Sequence, residues 1–182
     1  MKVESTSLPG VVIVHSPVHG DARGFFTETF HEEQFAALGL VTHFAQDNQS
    51  RSAKGVLRGL HFQLEQPQGK LVRAASGSVF DVAVDIRKSS PNFGKWVGVT
   101  LTAGDGRQVW IPEGFAHGFL VLSDVADVVY KCTTLYHAAS NRGIRWDDPD
   151  IGVEWPLEAG QSPTLSDKDR QAPTLNSATV FE

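Results

Sequence analysis

Short runs in which apolar and polar residues alternate recur along the chain, and glycine or proline separates most of them. The clearest run spans residues 79–86, where Val82 and Val84 alternate with Asp81 and Asp85. A period of two is typical of a β-strand, and one polar face predicts that the strand is half-buried. Nine similar runs lie at residues 11–15, 25–30, 44–48, 56–63, 71–75, 96–102, 108–111, 119–122 and 127–133. Nine or ten strands at this spacing predict an all-β sandwich or barrel.

Helix is a minor component of the predicted fold. Only residues 31–38 and, more weakly, 166–170 have helical spacing. Glycine and proline, with 17 and 9 residues, recur along the whole chain and do not collect in one linker, so we expect a single domain over residues 1–182. The segment 174–182 is expected to be a loosely ordered tail.

The composition excludes several classes of partner. Lysine and arginine number 16 against 21 acidic residues, and the net charge of −5 gives no general attraction for nucleic acid or an anionic membrane. We therefore expect neither partner, and an anionic ligand must meet a local basic cluster. Cys132 is the only cysteine, which excludes an intrachain disulfide and favours a reducing compartment. Without an apolar leader or a span of ~20 apolar residues, the chain is predicted to be soluble and cytoplasmic.

The densest polar cluster within a strand pattern lies at residues 56–63 and continues into the next predicted strand. Arg58, His61 and Lys70 stand there among leucine and valine, which suggests a hydrated, ligand-binding interior; an outward, solvated face is the open alternative for each residue. Arg58 and His61 lie three residues apart, on opposite faces of a regular strand. They can serve one pocket only if Gly59 forms a bulge or kink.

A second cluster, residues 110–119, contains a Pro and Gly turn that delivers His117 into the following strand. With His61 and Gln63 it invites a transition-metal interpretation. However, the neutral amide of Gln63 is a poor ligand for zinc or iron, so a metal site is disfavoured. Tyr130, on an alternating strand, is either a proton donor or a core tyrosine whose hydroxyl finds a partner.

Arginine near the N-terminus is placed to meet phosphate. Arg23 lies in the Gly-rich turn 20–24 beside aromatic residues, and Gln46 and Asn48 add amide donors at another strand end. Such an arginine suits a diphosphate, or it is simply a surface turn residue. Neither a P-loop nor Gly-x-Gly-x-x-Gly occurs in the sequence, so a dinucleotide oxidoreductase of the usual kind is not expected.

Seven motifs, in order along the chain, match a known family. They are Gly-Asp-x-Arg-Gly-Phe-Phe at 20–26, Gln-Asp-Asn at 46–48, Leu-Arg-Gly-Leu-His-Phe-Gln at 57–63, Gly-Lys-Leu-Val-Arg at 69–73, Phe-Asp-Val-Ala-Val-Asp-Ile-Arg at 80–87, Trp-Ile-Pro-Glu-Gly-Phe-Ala-His-Gly-Phe at 110–119 and Leu-Ser-Asp-Lys-Asp at 165–169. From about residue 8 to 173 the sequence resembles the dTDP-4-dehydrorhamnose 3,5-epimerase family.

The resemblance implies an all-β, double-stranded β-helix jelly roll of the cupin type with a few short helices. It also implies a homodimer without metal or cofactor that shares site residues across its interface and inverts C3 and C5 of dTDP-4-dehydro-6-deoxy-D-glucose, in the synthesis of dTDP-L-rhamnose for cell-surface polysaccharide. The implied catalytic residues are the base His61, its carboxylate partner Asp169, the acid Tyr130 on the opposite face, and Lys70 beside the 4-keto oxygen. The implied substrate-binding residues are Arg23, Glu28, Gln46, Asn48, Arg58, His117 and Lys168.

One departure from the family is visible at Ser140-Asn141-Arg142, where the family has a glutamate that contacts the ligand, so this contact is not carried over. Three alternatives stay open. A relative could epimerise only C3 or only C5, or isomerise the keto group. A metal-dependent cupin oxygenase and a non-catalytic sugar-binding cupin are the alternatives from other classes.

Overall fold

The structure is a computed structural model, and it describes residues 1–158 and 160–182. The strands within these residues are β1 (Lys2–Ser5), β2 (Val12–His15), β3 (Val18–Asp21), β4 (Gly24–Thr27), β5 (Gln46–Ala53), β6 (Leu57–Gln63), β7 (Lys70–Ser76), β8 (Ser78–Asp85), β9 (Trp96–Thr102), β10 (Arg107–Ile111), β11 (Phe115–Val121), β12 (Val125–Cys132) and β13 (Asn141–Gly143). The helices are α1 (Glu32–Ala37) and α2 (Asp167–Arg170), and Ala138–Ser140 form a 3₁₀ turn.

Two antiparallel sheets make up the body of the protein. One has six strands in the order β1-β2-β10-β7-β12-β5, and the other has five in the order β13-β6-β11-β8-β9. From β6 to β8, and again from β10 to β12, successive strands pass from one sheet to the other and back. This alternation gives the double-stranded β-helix jelly roll of the cupin type, so the predicted fold class is confirmed. Strands β3 and β4 form a separate hairpin that pairs with neither sheet.

Apolar side chains from both sheets pack face to face and form the main core. They include Val72, Val109 and Val128 from the six-stranded sheet and Val79 and Phe119 from the other. Burial of this apolar surface is the principal source of stability. The outer face of the six-stranded sheet is covered by α1 through Phe35 and by neighbouring aromatic residues.

Strand β8 is buried on both faces, so the prediction of a half-buried strand is wrong. Its apolar face, with Val82 and Val84, packs against the segment that follows β13. Its other face points between the sheets, where Asp81 and Asp85 are only 2% and 1% exposed. A buried carboxylate requires compensating partners, so this polar face is part of the interior and its chemistry.

The C-terminal segment packs against the five-stranded sheet. Leu175 and Val180 belong to the same apolar cluster as Ile144 and Trp155. The backbone carbonyl of Phe181 also accepts a hydrogen bond from the Lys88 N–H at 2.9 Å. These contacts favour a tail held against the core over the loosely ordered tail predicted from the sequence.

The predicted runs coincide with strands, although several ends differ. The run at 44–48 lies farther along, in Gln46–Ala53, whose sequence is almost entirely polar. The sequence pattern does not predict strands β1, β3 and β13, because each has only three or four residues, none of them buried, and so lacks an apolar period. Both predicted helices form, each slightly shorter than its predicted segment. No helix of the described part of the chain is long and apolar enough to span a membrane.

Candidate active site

A cavity of about 380 Å³ is lined by β5, β6, β7, β11, β12 and the segment around α2. Seven of the eleven site residues predicted from the sequence line it: Arg58, His61, Lys70, His117, Tyr130, Lys168 and Asp169. These residues come from distant parts of the chain, and the crossing of strands between the two sheets brings them together.

A β-bulge in β6 turns Arg58 and His61 toward the same cavity. His117 pairs with His61 across the two strands, whereas Phe119 pairs with Arg58. An interval of two residues on β11 therefore lies opposite an interval of three residues on β6, which leaves one extra residue on β6. Gly59 has φ 135°, a conformation that favours glycine. A Cβ atom on Gly59 would lie 2.5 Å from the Cα of Gly118, so the close approach of the two strands also requires glycine. The bulge at Gly59, the condition for Arg58 and His61 to share one pocket, is present.

His61 and Asp169 form a hydrogen-bonded pair at the cavity wall. Helix α2 begins after Ser166, whose hydroxyl accepts a hydrogen bond from the Asp169 N–H and fixes the first turn. The His61 Nε2–H donates to Asp169 Oδ1 at 2.5 Å. Asp169 is buried, whereas the His61 side chain is 34% exposed toward the cavity. A proton held on Nε2 leaves the lone pair of Nδ1 free to act as a base.

The charge state of Asp169 suits this arrangement. Burial raises the pKa of the Asp169 carboxyl, but the hydrogen bond and charge of His61, the Ser166 hydroxyl and the Gly59 backbone outweigh burial, and the net pKa is lowered. The carboxylate is therefore ionised at neutral pH. It can stabilise an imidazolium on His61 when that ring takes up a proton.

Lys70 and Tyr130 add a cation and a neutral acid to the cavity. Lys70 is buried, and its Nζ makes a long hydrogen bond of 3.5 Å to the backbone carbonyl of His61. Burial lowers the pKa of Lys70, and the charges of Cys132 and Asp81 partly oppose this shift. Burial, together with Cys132, raises the pKa of the Tyr130 hydroxyl, so that it keeps its proton at neutral pH.

His117 has a carboxylate partner of its own. Its Nε2–H donates to Asp81 Oδ2 at 2.8 Å, and both side chains are buried. Burial lowers the pKa of His117 despite the charge and hydrogen bond of Asp81, and nearby Lys70 and His61 lower it further. His117 is therefore neutral at neutral pH, with the lone pair of its Nδ1 available as an acceptor.

Four predicted site residues do not line this cavity. Arg23 lies on the β3–β4 hairpin, where its side chain is 90% exposed and pairs with Asp21. Glu28 follows β4 and accepts a hydrogen bond from the Gln34 amide at 3.0 Å. Both residues therefore lie away from the cavity lining.

Gln46 and Asn48 also lie outside the cavity lining, on the neighbouring strand β5. Asn48 pairs with Tyr130 across the β5–β12 ladder. The Gln46 amide donates to Asn48 Oδ1 at 2.9 Å, and the Asn48 amide contacts Cys132 Sγ at 3.5 Å. These amides therefore lie beside the strand that carries Tyr130.

Sequence reasoning missed several lining residues. Ser50 lies two residues after Asn48 on β5, and Phe119 lies two residues after His117 on β11. Because every second residue of a strand lies on the same face, counting two residues on from Asn48 and from His117 identifies both. Thr164 and Ser166, which lie before α2, carry no comparable signal, because only the tertiary fold brings this segment to the cavity.

Gln63, considered above as a third metal ligand, is held by backbone groups. Its amide donates to the carbonyl oxygens of Gln66 and Leu135, and its Oε1 accepts from the His137 N–H. Across residues 1–158 and 160–182, no group of three or more His, Cys, Asp or Glu side chains has the arrangement of a metal site.

A histidine base with a carboxylate behind it, a lysine and a tyrosine can together move protons at a carbon next to a carbonyl. Abstraction of such a proton leaves an enolate, which a buried ammonium stabilises electrostatically. A tyrosine that keeps its proton can then act as the acid. The geometry thus favours proton-transfer chemistry at a keto compound, and Arg58 and Lys168 at the cavity wall favour an anionic one.

Comparison with known proteins gives a consistent result. The sequence profile of the family described as dTDP-4-dehydrorhamnose 3,5-epimerase matches residues 5–177. The dTDP-4-dehydrorhamnose 3,5-epimerase of Shigella flexneri is 59% identical over 183 residues, covering 100% of this chain and 99% of that protein.

Two solved structures are similar as well. The dTDP-6-deoxy-D-glucose-3,5-epimerase of Legionella pneumophila Philadelphia 1, in complex with dTDP-4-keto-L-rhamnose, has a TM-score of 0.93 and 50% identity, covering 98% of this chain and 94% of that one. A 3'-monoepimerase from Streptomyces bikiniensis, in complex with dTDP-quinovose, has a TM-score of 0.87 and 37% identity, covering 94% of this chain and 87% of that one.

Proposed function

The chain belongs to the dTDP-4-dehydrorhamnose 3,5-epimerase family, and from this we propose that its cavity binds dTDP-4-dehydro-6-deoxy-D-glucose and inverts C3 and C5 to give dTDP-4-dehydro-L-rhamnose. Such an enzyme is an isomerase acting on a carbohydrate, in dTDP-L-rhamnose biosynthesis. The observation that carries the assignment is the 2.5 Å hydrogen bond between His61 and Asp169 at the wall of a cavity that also contains Lys70 and Tyr130. We propose a cytoplasmic location, because the buried Cys132 is a free thiol, as expected in a reducing compartment.

In the first step, His61 acts as the base. Its Nδ1 takes the proton from the carbon beside the C4 ketone, and the electron pair of the broken C–H bond forms the enolate. Asp169 stabilises the imidazolium that results, and the Lys70 ammonium stabilises the charge on the enolate oxygen. C3 and C5 both flank the C4 ketone, so one base can serve both positions in turn.

In the second step, Tyr130 acts as the acid. Its hydroxyl delivers a proton to the opposite face of the same carbon, which inverts the configuration there. The proton on His61 then returns to the Tyr130 phenolate through solvent, so that both residues recover their starting states. Burial raises the pKa of Tyr130, which keeps the acid protonated until the strongly basic enolate is formed.

Cationic side chains at the cavity wall are proposed to hold the diphosphate of the substrate. Arg58 and Lys168 both line the cavity and are exposed, so they can meet a charged group entering from solvent. Arg58 Nε donates to the Ser52 hydroxyl at 3.0 Å, which orients the guanidinium. A neutral His117 presents Nδ1 as an acceptor for a sugar hydroxyl.

We propose that the protein is a homodimer in which the β3–β4 hairpin of one copy completes the cavity of the other. Phe25 and Phe26 on this hairpin are 60% and 69% exposed, which is unusual for adjacent large apolar side chains. The hairpin pairs with neither sheet of its own chain and carries Arg23. A second copy, related by two-fold symmetry, would bury both phenylalanines and bring Arg23 to a diphosphate.

A mixing experiment tests this shared site. Arg23→Ala and His61→Asn homodimers are each expected to be nearly inactive. Subunit exchange between equal amounts should recover about one quarter of wild-type activity, because half of the dimers are hybrids and each hybrid contains one intact site. If Arg23 served the cavity of its own chain, mixing would recover no activity, and this outcome would contradict the proposal.

Proton NMR in D₂O tests the proposed reaction directly. Wild-type enzyme incubated with dTDP-4-dehydro-6-deoxy-D-glucose is expected to incorporate deuterium at both C3 and C5, with formation of the L-rhamno product. Exchange at C3 alone would indicate a monoepimerase, the activity of the similar Streptomyces bikiniensis protein. Binding without any exchange would contradict the epimerase assignment and favour a sugar-binding role.

A further inference from the structure

Asp169 reaches the base through a segment that is attached to the strand of the base itself. Thr164, five residues before Asp169, pairs with Val56 in a parallel bridge just before β6. The Thr164 N–H donates to the Gly55 carbonyl at 2.8 Å, and the Thr164 carbonyl accepts from the Leu57 N–H at 3.0 Å. The segment is therefore fixed at residue 164, and the position of the carboxylate depends on the five residues that follow.

One hydroxyl group among those residues contacts Asp169. The Ser166 hydroxyl oxygen accepts a hydrogen bond from the Asp169 N–H at 3.1 Å. The Asp169 carboxylate in turn accepts from His61 Nε2 at 2.5 Å, and Asp169 is only 4% exposed. These contacts form a continuous chain from Ser166 through Asp169 to the base.

The turn that carries Asp169 depends strongly on its cap, because it is very short. Helix α2 has only four residues, Asp167–Arg170. An isolated helix of fewer than about 12 residues is marginal in water, since few hydrogen bonds compensate for the cost of starting it. A serine at the N-cap stabilises such a turn by accepting from a backbone N–H that has no partner within the helix. In α2 that N–H belongs to the residue that bears the carboxylate.

We propose that Ser166 is a positioning residue for the epimerisation, whose hydroxyl holds the Asp169 carboxylate against His61. This inference rests on the proposed function, since it concerns the base of the reaction. Without the hydroxyl, the first turn of α2 opens for part of the time. In the open molecules the imidazolium on His61 lacks its carboxylate, so proton abstraction is slower. Ser166 lines the cavity, but it acts on the reaction through Asp169.

The test is Ser166→Ala, which removes the hydroxyl from an exposed side chain. We expect the rate of deuterium exchange from saturating substrate to fall by about fivefold, the factor that corresponds to loss of one N-cap contact in a marginal turn. Ser166→Asn should stay within about twofold of wild type, because an asparagine oxygen caps as well as a serine oxygen. An asparagine variant as slow as the alanine variant would contradict the proposal, since the hydroxyl itself would then be required.

A double-variant comparison tests whether Ser166 acts through Asp169. In the Asp169→Asn background, Ser166→Ala should lower the exchange rate by less than about twofold, because the group that it positions has already lost its charge. Equal fractional losses in the two backgrounds would overturn the proposal, since Ser166 would then act by a separate route. Loss of dTDP affinity with an unchanged exchange rate would also overturn it, and would show that the turn serves Lys168 instead.

Ser90→Ala is the matched control for loss of a hydroxyl. The Ser90 hydroxyl likewise accepts a backbone hydrogen bond at 3.1 Å, from the Asn92 N–H, but Ser90 lies outside the cavity lining. This variant should exchange at the wild-type rate. Equal losses in Ser90→Ala and Ser166→Ala would assign the effect to general loosening of the fold and overturn the positioning role. Exchange by the wild-type enzyme is measured independently, so failure of this inference is distinct from failure of the proposed function.

Discussion

Replacement of His61 by asparagine is expected to abolish deuterium exchange at both C3 and C5 while dTDP affinity stays close to wild type. Asparagine keeps a polar side chain of similar shape and can still bond Asp169, but it has no nitrogen that can act as a base near neutral pH. A positioned base increases the rate by about 10²- to 10⁴-fold, so kcat should fall by about 10²-fold or more. Proton NMR in D₂O measures exchange, and calorimetric titration with dTDP measures affinity.

A matched control for this variant is His15→Asn. His15 is likewise paired with a carboxylate, Glu4, at 2.7 Å, but it lies on β2 and not at the cavity. This variant should retain wild-type exchange. Asp169→Asn should show a milder loss than His61→Asn, because the base remains and only its partner loses charge. A folded His61→Asn protein that exchanges at nearly the wild-type rate would remove His61 from the mechanism.

Replacement of Tyr130 by phenylalanine is expected to separate proton exchange from inversion. Phenylalanine keeps the ring and removes the donor, so His61 can still take a proton and return a deuteron to the same face. Product formation should fall by about 10²-fold or more, the scale of a positioned acid, while exchange at one or both carbons is partly retained. The two rates can be read from one NMR time course, from deuterium in unreacted substrate and from the amount of product.

Tyr136→Phe controls for loss of a phenol group, since Tyr136 is the only other tyrosine and lies outside the cavity lining. Its inversion rate should remain near wild type. Equal losses of exchange and inversion in Tyr130→Phe would mean that Tyr130 positions the substrate or supports the base. Undiminished inversion would assign the acid to water or to another residue.

Local patterns predicted most of the fold because a strand with one apolar face leaves a period of two in the sequence. They failed where burial depends on the rest of the chain. The alternation in β8 predicts the strand but leaves its polar face exposed, since nothing local to Asp81 reveals that a second sheet covers it. For the same reason the pattern predicts β5 too early along the chain, because pairing with β12, and not an apolar period of its own, defines this polar strand.

In the site, too, a local sequence pattern indicates some residues, whereas contacts between distant parts of the chain define others. The local pattern indicates Arg58 and His61 as a cluster, and the two can reach one cavity only with a bulge at Gly59. The pairing of His61 with Asp169 joins residues 108 positions apart, and no local pattern encodes such a contact. Its prediction came from the family resemblance. Placement of Arg23 and Glu28 at a shared site stays a prediction, because it concerns a second copy of the chain.

The bulge at Gly59 also limits how this scaffold can be redesigned. A Cβ atom on Gly118 would lie 2.8 Å from the Arg58 carbonyl oxygen, so the close approach of the two backbones excludes a side chain at either glycine. The backbone alone therefore sets the spacing between Arg58 and His61. An engineer seeking a different nucleotide sugar is free to exchange side chains around the cavity. Insertions and deletions in this stretch would instead rotate one of the two groups out of the cavity.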